Sequence, residues 1–252
     1  MIYKYKNCRI FYRYINKNSA VCDVYLHGWG ANYESLFFCK DYLPNSALFV
    51  DFPPFGKSEK KIKGWTIFSY TTMVVSLCEH LGIHKVNLIG HSFGGRVAIL
   101  YSAFCKSRVE KVVLIDSAGI KPHRKPSYYF KIWRYKMRRK LHLDVSKFGS
   151  CDYLALDEDM RKVFNSIVKT TLDDFLPNVE AETLIIFGKN DRTTPCYMAK
   201  KLHKKIRKSK LVFIENSGHF CFNDNKYKFL KELKSFITVS YTHLTLPTTS
   251  RV

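Results

Sequence analysis

Short apolar runs, unalternated and rich in Val, Ile and Leu, recur at residues 21–26, 47–51, 86–89, 109–115, 183–187 and 210–214. A strand buried on one face alternates apolar and polar residues. A strand covered on both faces does not, so runs of this kind predict the interior of a parallel sheet. Between them lie segments with helical spacing, at 33–43, 67–81, 94–105, 196–206 and 226–237. Parallel neighbours need a crossover and a helix supplies it, so the βαβα alternation predicts an α/β fold with a doubly wound sheet. Ahead of the first run, residues 2–14 alternate polar and aromatic residues around Lys6-Asn7, the pattern of a β-hairpin.

From 121 to 176 the rhythm stops and no strand is expected. Phe130, Trp133, Met137 and Leu141 form an apolar stripe at i, i+3, i+7 and i+11 among basic residues. Asp157, Glu158 and Asp159 suit the N-terminal turn of a second helix over 157–172. The segment is expected to be an inserted helical cap, which divides the chain into a core of 1–120 and 177–238 and a cap of 121–176. Residues 239–252 fit neither period, and Val-Ser-Tyr-Thr-His-Leu reads like the translation of a sequencing adapter. That tail is expected to be non-native, the native chain ending somewhere past Ile237, and His243 is left out of the functional reading.

With 252 residues, 46 % of them hydrophobic, the chain can bury one large core. Its formal charge of +21, from 42 Lys and Arg against 21 Asp and Glu, favours anionic partners. The basic residues are spread from Lys4 to Lys234 without a nucleic-acid motif, so compositional bias is the simpler reading and no specific nucleic acid is expected as partner. The eight cysteines show no C-x-x-C pair and no Cys/His cluster at metal-ligand spacing. Most lie in apolar segments, as buried free thiols do, which predicts a reducing, cytoplasmic setting and no bound metal. The first residues lack the apolar region of a signal peptide, and no run reaches the ~18 apolar residues of a membrane span.

Gly90-His91-Ser92-Phe93-Gly94, followed by Gly95, is a G-x-S-x-G sequence between a predicted strand and a predicted helix. A serine on so sharp a turn needs close backbone approach on both sides, which Gly90 and Gly94 permit because neither carries a Cβ. Its hydroxyl then stands at a helix N-terminus, where developing negative charge is favoured. Ser92 is the candidate nucleophile; an ordinary glycine-bounded turn is the alternative. A serine needs a base, and the base an orienting carboxylate, in the order Ser, acid, His. Asp191 follows the run 183–187 and His219 follows the run 210–214, so both fall in loops at the carboxyl ends of strands. Asp116, ending the run 109–115, is the alternative acid. His91 flanks Ser92 too closely to be its base and is expected to line the pocket. His27 is expected to bond loop backbone and Asp51 to be a loop and turn residue, while His80, His84, His123, His142 and His203 fall on predicted surfaces or in the cap.

On these motifs the chain resembles the α/β-hydrolases of the esterase and meta-cleavage-product hydrolase group, over residues 21–237. The resemblance implies a mostly parallel eight-stranded sheet with the helical cap inserted after strand 6. His27-Gly28-Trp29-Gly30 matches the family's H-G-x-G element, which implies an oxyanion hole made by the backbone N–H groups of Trp29 and Phe93. Residues 51–58 match its D-x-P-G-x-G-x-S loop, except that Pro54 stands where glycine is usual. The implied reaction is acyl transfer to water through an acyl-serine, with no metal or organic cofactor. Within the family the same parts cleave carboxylic esters, thioesters, N-terminal proline peptides, lactones or the carbon bonds of vinylogous diketones, and the cap usually decides which.

A small-molecule acyl substrate, a carboxylic ester with or without an anionic end, is expected. The alternatives are a carbon–carbon bond hydrolase, a proline iminopeptidase or thioesterase, a non-catalytic ligand-binding member, and charge-driven binding of phospholipid or nucleic acid. For the stripe of Phe130 to Leu141, the simplest reading turns it onto the domain and leaves Lys131, Arg134, Lys136, Arg138, Arg139 and Lys140 in water. The others are a pocket for an apolar acyl chain with an anionic end, and contact with an anionic membrane surface.

Overall fold

The computed structural model describes residues 1–123, 126–141, 143, 153 and 156–238. The opening hairpin pairs β1 (Ile2–Tyr5) with β2 (Cys8–Ile15), turning at Lys6, whose φ is 52°. The apolar runs become β3 (Val21–Leu26), β4 (Ser46–Val50), β5 (Lys85–His91), β6 (Val109–Ile115), β7 (Glu182–Gly188) and β8 (Ser209–Ile214). The eight strands lie in the order β1-β2-β4-β3-β5-β6-β7-β8. β1, β2 and β4 pair antiparallel, and every pair from β4 to β8 is parallel.

Both faces of the central strands β3 to β7 are covered, which is why these strands show no sustained polar alternation. In β7, Ile185 and Phe187 join one core with α2 (Ile67–His80), α3 (Phe93–Phe104) and α6 (Cys196–Lys205), while Leu184 and Ile186 join another with α1 (Glu34–Phe37) and α8 (Lys226–Thr238). The expected helix over 33–43 is a single α turn that tightens into a 3₁₀ turn at Phe38–Asp41, keeping Leu36, Cys39 and Leu43 buried against the sheet. α7 (Cys221–Asp224) is a short turn after β8. The strands register so that Leu26 faces Gly90, His91 faces Ile115 and Gly188 faces Ile214. The loops carrying Trp29, Ser92, Asp116, Asp191 and His219 therefore leave one edge of the sheet side by side.

Between β6 and β7 the described residues include α4 (Pro126–Lys140) and α5 (Glu158–Lys169), and none is in a strand. α5 is capped by Asp157, whose carboxylate accepts from the Met160 N–H at 2.8 Å. It ends three residues earlier than expected, because the Leu172 N–H turns back to the Gly119 carbonyl at 2.8 Å and Leu172 is buried. The apolar stripe of α4 corrects the simplest expectation: Phe130, Trp133, Met137 and Leu141 are 57, 56, 40 and 60 % exposed. The core-facing place is taken by α5, whose Met160, Val163 and Ile167 are buried. His142 and residues 239–252, with His243, lie outside the described residues.

The central strand β5 is buried from Val86 to His91. Leu88→Ala should therefore cost about 2–5 kcal/mol of unfolding free energy, against less than about 0.5 kcal/mol for Lys85→Ala at the exposed end of the same strand. Urea denaturation of the two variants and the parent measures both, and equal midpoints would contradict this account of the core.

Candidate active site

β5 passes into α3 through Ser92, whose φ of 48° lies in the left-handed region. That conformation costs an L-residue of order 1–3 kcal/mol and persists only where the surroundings over-determine it. Here the Ser92 N–H donates to the Ile115 carbonyl at 2.9 Å, and the Ser92 carbonyl accepts from the Ala118 N–H at 3.1 Å. The turn is closed so tightly that a Cβ on Gly90 would stand 2.5 Å from the Gly94 carbonyl oxygen, and one on Gly94 would fall on the Leu26 carbonyl. Gly95 would likewise strike Ser117.

A hydrogen-bonded chain crosses the edge from this turn. Ser92 Oγ lies 3.0 Å from His219 Nε2, and His219 Nδ1 lies 2.8 Å from Asp191 Oδ2. The acceptor-only carboxylate fixes the proton on Nδ1 and leaves Nε2 free to accept from the serine hydroxyl. Asp191 Oδ1 accepts from the N–H groups of Thr193 and Thr194 at 2.7 and 3.0 Å, and Oδ2 from Thr194 Oγ1 at 2.6 Å. Burial disfavours the Asp191 anion, but the hydrogen bonds from His219 and Thr194 outweigh it and hold the carboxyl below its ordinary value. Thr194 was not singled out from the sequence; its signal was the Asp-x-x-Thr spacing of a side-chain-bonded turn.

Asp116, the rival acid, points elsewhere. Its Oδ1 accepts from the Gly188 N–H at 2.7 Å and its Oδ2 from the Cys221 N–H at 3.4 Å, so it ties the ends of β6, β7 and the β8 loop together. Burial raises its carboxyl to about 6. His27 donates from Nδ1 to the Gly28 carbonyl at 2.7 Å and accepts at Nε2 from the Phe52 N–H at 2.9 Å, and burial lowers it to about 4, so it is a neutral loop-bonding residue. His91 donates from Nε2 to the His219 carbonyl at 2.8 Å and is lowered by burial to about 3. Asp51 accepts from the Tyr33 and Lys57 N–H groups at 2.7 and 2.8 Å, as a loop residue should. His123 stacks on Tyr197, His80 lies against Tyr3 and His203 bonds Ser209, all three exposed, as is His84.

Ser92 opens into a cavity of about 540 Å³. Gly28, Trp29, Gly30, His91, Phe93 and His219 line it with Phe164, Ile167 and Val168 of α5 and Phe220. The Trp29 ring packs edge-on to Phe93 and Phe164, at 5.6 and 5.1 Å. As the first residue of α3, Phe93 has no intrahelical acceptor for its N–H. Arg96 also lines the cavity, and its Nη1 donates to the Ile167 and Thr170 carbonyls at 3.0 and 2.7 Å, pinning the C-terminus of α5 to α3. Neither Arg96 nor the apolar wall carried a sequence motif, because each is defined by what packs above Ser92.

The pattern of the alpha/beta hydrolase fold matches residues 24–165, and that of a TAP-like protein matches 164–236. The AB hydrolase superfamily protein YisY of Bacillus subtilis is 28 % identical over 248 residues, covering 81 % of this chain and 87 % of that one. The 2-hydroxy-6-oxononadienedioate/2-hydroxy-6-oxononatrienedioate hydrolase 1 of Pseudomonas putida is 24 % identical over 76 % of each chain. Among solved structures, an esterase from Exiguobacterium antarcticum superposes with a TM-score of 0.73 at 26 % identity, over 92 % of this chain and 96 % of that one. With its eight-stranded, mostly parallel sheet and more than half its length matched to the family pattern, the chain belongs to the α/β-hydrolase fold family and is a hydrolase.

Proposed function

We propose that this hydrolase cleaves a small carboxylic ester through an acyl-serine intermediate. The observation that carries the reading is the unbroken chain from Ser92 Oγ through His219 to Asp191, opening into a largely apolar cavity. As Ser92 Oγ attacks the ester carbon, His219 Nε2 takes its proton and Asp191 stabilises the imidazolium. The oxyanion accepts from the backbone N–H groups of Trp29 and Phe93, donors of a kind typically worth about 10²- to 10³-fold each in rate. Collapse breaks the ester bond, and the leaving alkoxide takes the proton from Nε2. Water, deprotonated at the same nitrogen, then attacks the acyl carbon; the acyl–Oγ bond breaks, Ser92 Oγ takes the proton back from Nε2 and the acid is released. Trp29, Phe164, Val168 and Phe220 suit an apolar group on the substrate, and Arg96 suits an anionic end. The esterase neighbour and the free thiols among the described cysteines support an ester substrate and a reducing, cytoplasmic setting.

Incubation with a fluorophosphonate probe, read by mass spectrometry, should label Ser92 and nothing else, and Ser92→Ala and His219→Ala should abolish the label; a folded parent that takes none sinks the proposal. Asp191→Asn should lower kcat on a short ester by about 10⁴, whereas Asp116→Asn should change it less than about tenfold. The reverse ranking would make Asp116 the acid.

Asp116 also predicts a pH dependence. Its native carboxyl lies near 6 against 3.8 in an ordinary aspartate, so between those values the folded protein keeps a proton that the unfolded chain has released. Stability of the parent relative to Asp116→Asn should therefore fall as pH rises through that window and stay level above it. Urea denaturation of both proteins at several pH values checks this, and a difference that rises with pH would contradict it.

A further inference from the structure

α4 shows two chemistries to solvent at once. Ile132, Tyr135 and Arg138, three residues apart, are half-buried and mark the side turned toward the protein. At about 100° per residue, the stripe of Phe130, Trp133, Met137 and Leu141 stands on the opposite side, and each of its residues is exposed. Leu143, just past the end of the helix, is exposed as well. The rings of Phe130 and Trp133 stack with centroids 5.7 Å apart. Exposed Arg134 borders the stripe on one flank, and exposed Lys136 and Lys140 on the other. Single exposed apolar side chains are ordinary on any protein; a contiguous aromatic and aliphatic stripe rimmed by cations marks an interaction surface.

We propose that this face docks on an anionic lipid bilayer, with α4 lying in the headgroup region and its stripe entering the acyl boundary. An apolar stripe flanked by Lys and Arg is the arrangement of helices that lie in the membrane interface. Arg134, Lys136 and Lys140 are exposed beside the stripe, and residues 121–143 contain no Asp or Glu to offset them, so the face attracts an anionic leaflet and repels a second copy of itself. Nucleic acid would satisfy the cations but leave Met137, Leu141 and Leu143 in water. No helix among the described residues is long and apolar enough to cross a membrane, so the contact is peripheral. The surface stands independently of the chemistry proposed at Ser92, although α4 follows the same sheet edge.

Sedimentation of the full chain with sucrose-loaded vesicles tests this, using phosphatidylcholine alone and phosphatidylcholine with phosphatidylglycerol. The parent should partition onto the anionic vesicles at least about tenfold more strongly than onto the zwitterionic ones, and added salt should weaken the binding. The double variant Phe130→Ser/Trp133→Ser should lose about tenfold or more in partitioning. Arg134→Gln and Lys136→Gln should lose about fivefold each, with far-ultraviolet circular dichroism unchanged in all variants. No partitioning of the folded parent, or equal partitioning of parent and double variant, would overturn the proposal. So would tighter binding to a single-stranded oligonucleotide than to anionic vesicles, or self-association in the absence of lipid that Phe130→Ser/Trp133→Ser abolishes.

Discussion

The left-handed backbone at Ser92 is the constraint on which the surrounding structure turns. It reverses the chain from β5 into α3 within one residue, and the helix must then begin almost in contact with β3. Gly94 lies against the Leu26 carbonyl, where no side chain fits, and Gly90 lies against the first turn of α3. The turn is held from outside by β6, through the Ile115 carbonyl, and by the loop after β6, through Ala118. Central strands of a parallel sheet are the rigid support such strain requires, and β5 is flanked by β3 and β6 over most of its length.

The electrostatics of the same edge are set by which groups find donors. Two carboxylates end neighbouring strands, yet their environments separate them. Asp191 gathers His219 and two threonine N–H groups and is held ionised; Asp116 is more deeply buried, has fewer donors and is pushed toward neutrality. His27 and His91, both buried and both lowered, serve as neutral donors to loop carbonyls. Three histidines thus lie within one small region, and the one that contacts both a carboxylate and a hydroxyl is His219, on the outer side of the turn.

The two helices between β6 and β7 show how similar sequence patterns meet different fates. α5 turns Met160, Val163 and Ile167 inward, lends Phe164, Ile167 and Val168 to the cavity wall, and is fastened at its C-terminus by Arg96. A buried guanidinium accepting that place is favourable because the last carbonyls of a helix lack intrahelical donors and carry its negative end. α4, with the core already covered, carries its apolar stripe outward, so the basic residues beside it act as a rim rather than as a solvated back face.

Much of this was legible in the amino acids alone. Unalternated runs imply strands covered on both sides, and the glycines about Ser92 imply a turn that excludes Cβ, because both signals are local consequences of backbone geometry. The positions of Asp191 and His219 followed from the same logic, each lying just past the end of a strand. Tertiary structure alone decided the rest. Asp116 and Asp191 end adjacent strands in equivalent loops, and only distance shows that Asp191 reaches His219. Thr194, Arg96, Phe164, Val168 and Phe220 gain their places from neighbours remote in sequence. The outward face of α4 was likewise hidden, since periodicity reveals that a helix has an apolar side but not what lies opposite it; that depends on which other helix has already taken the core.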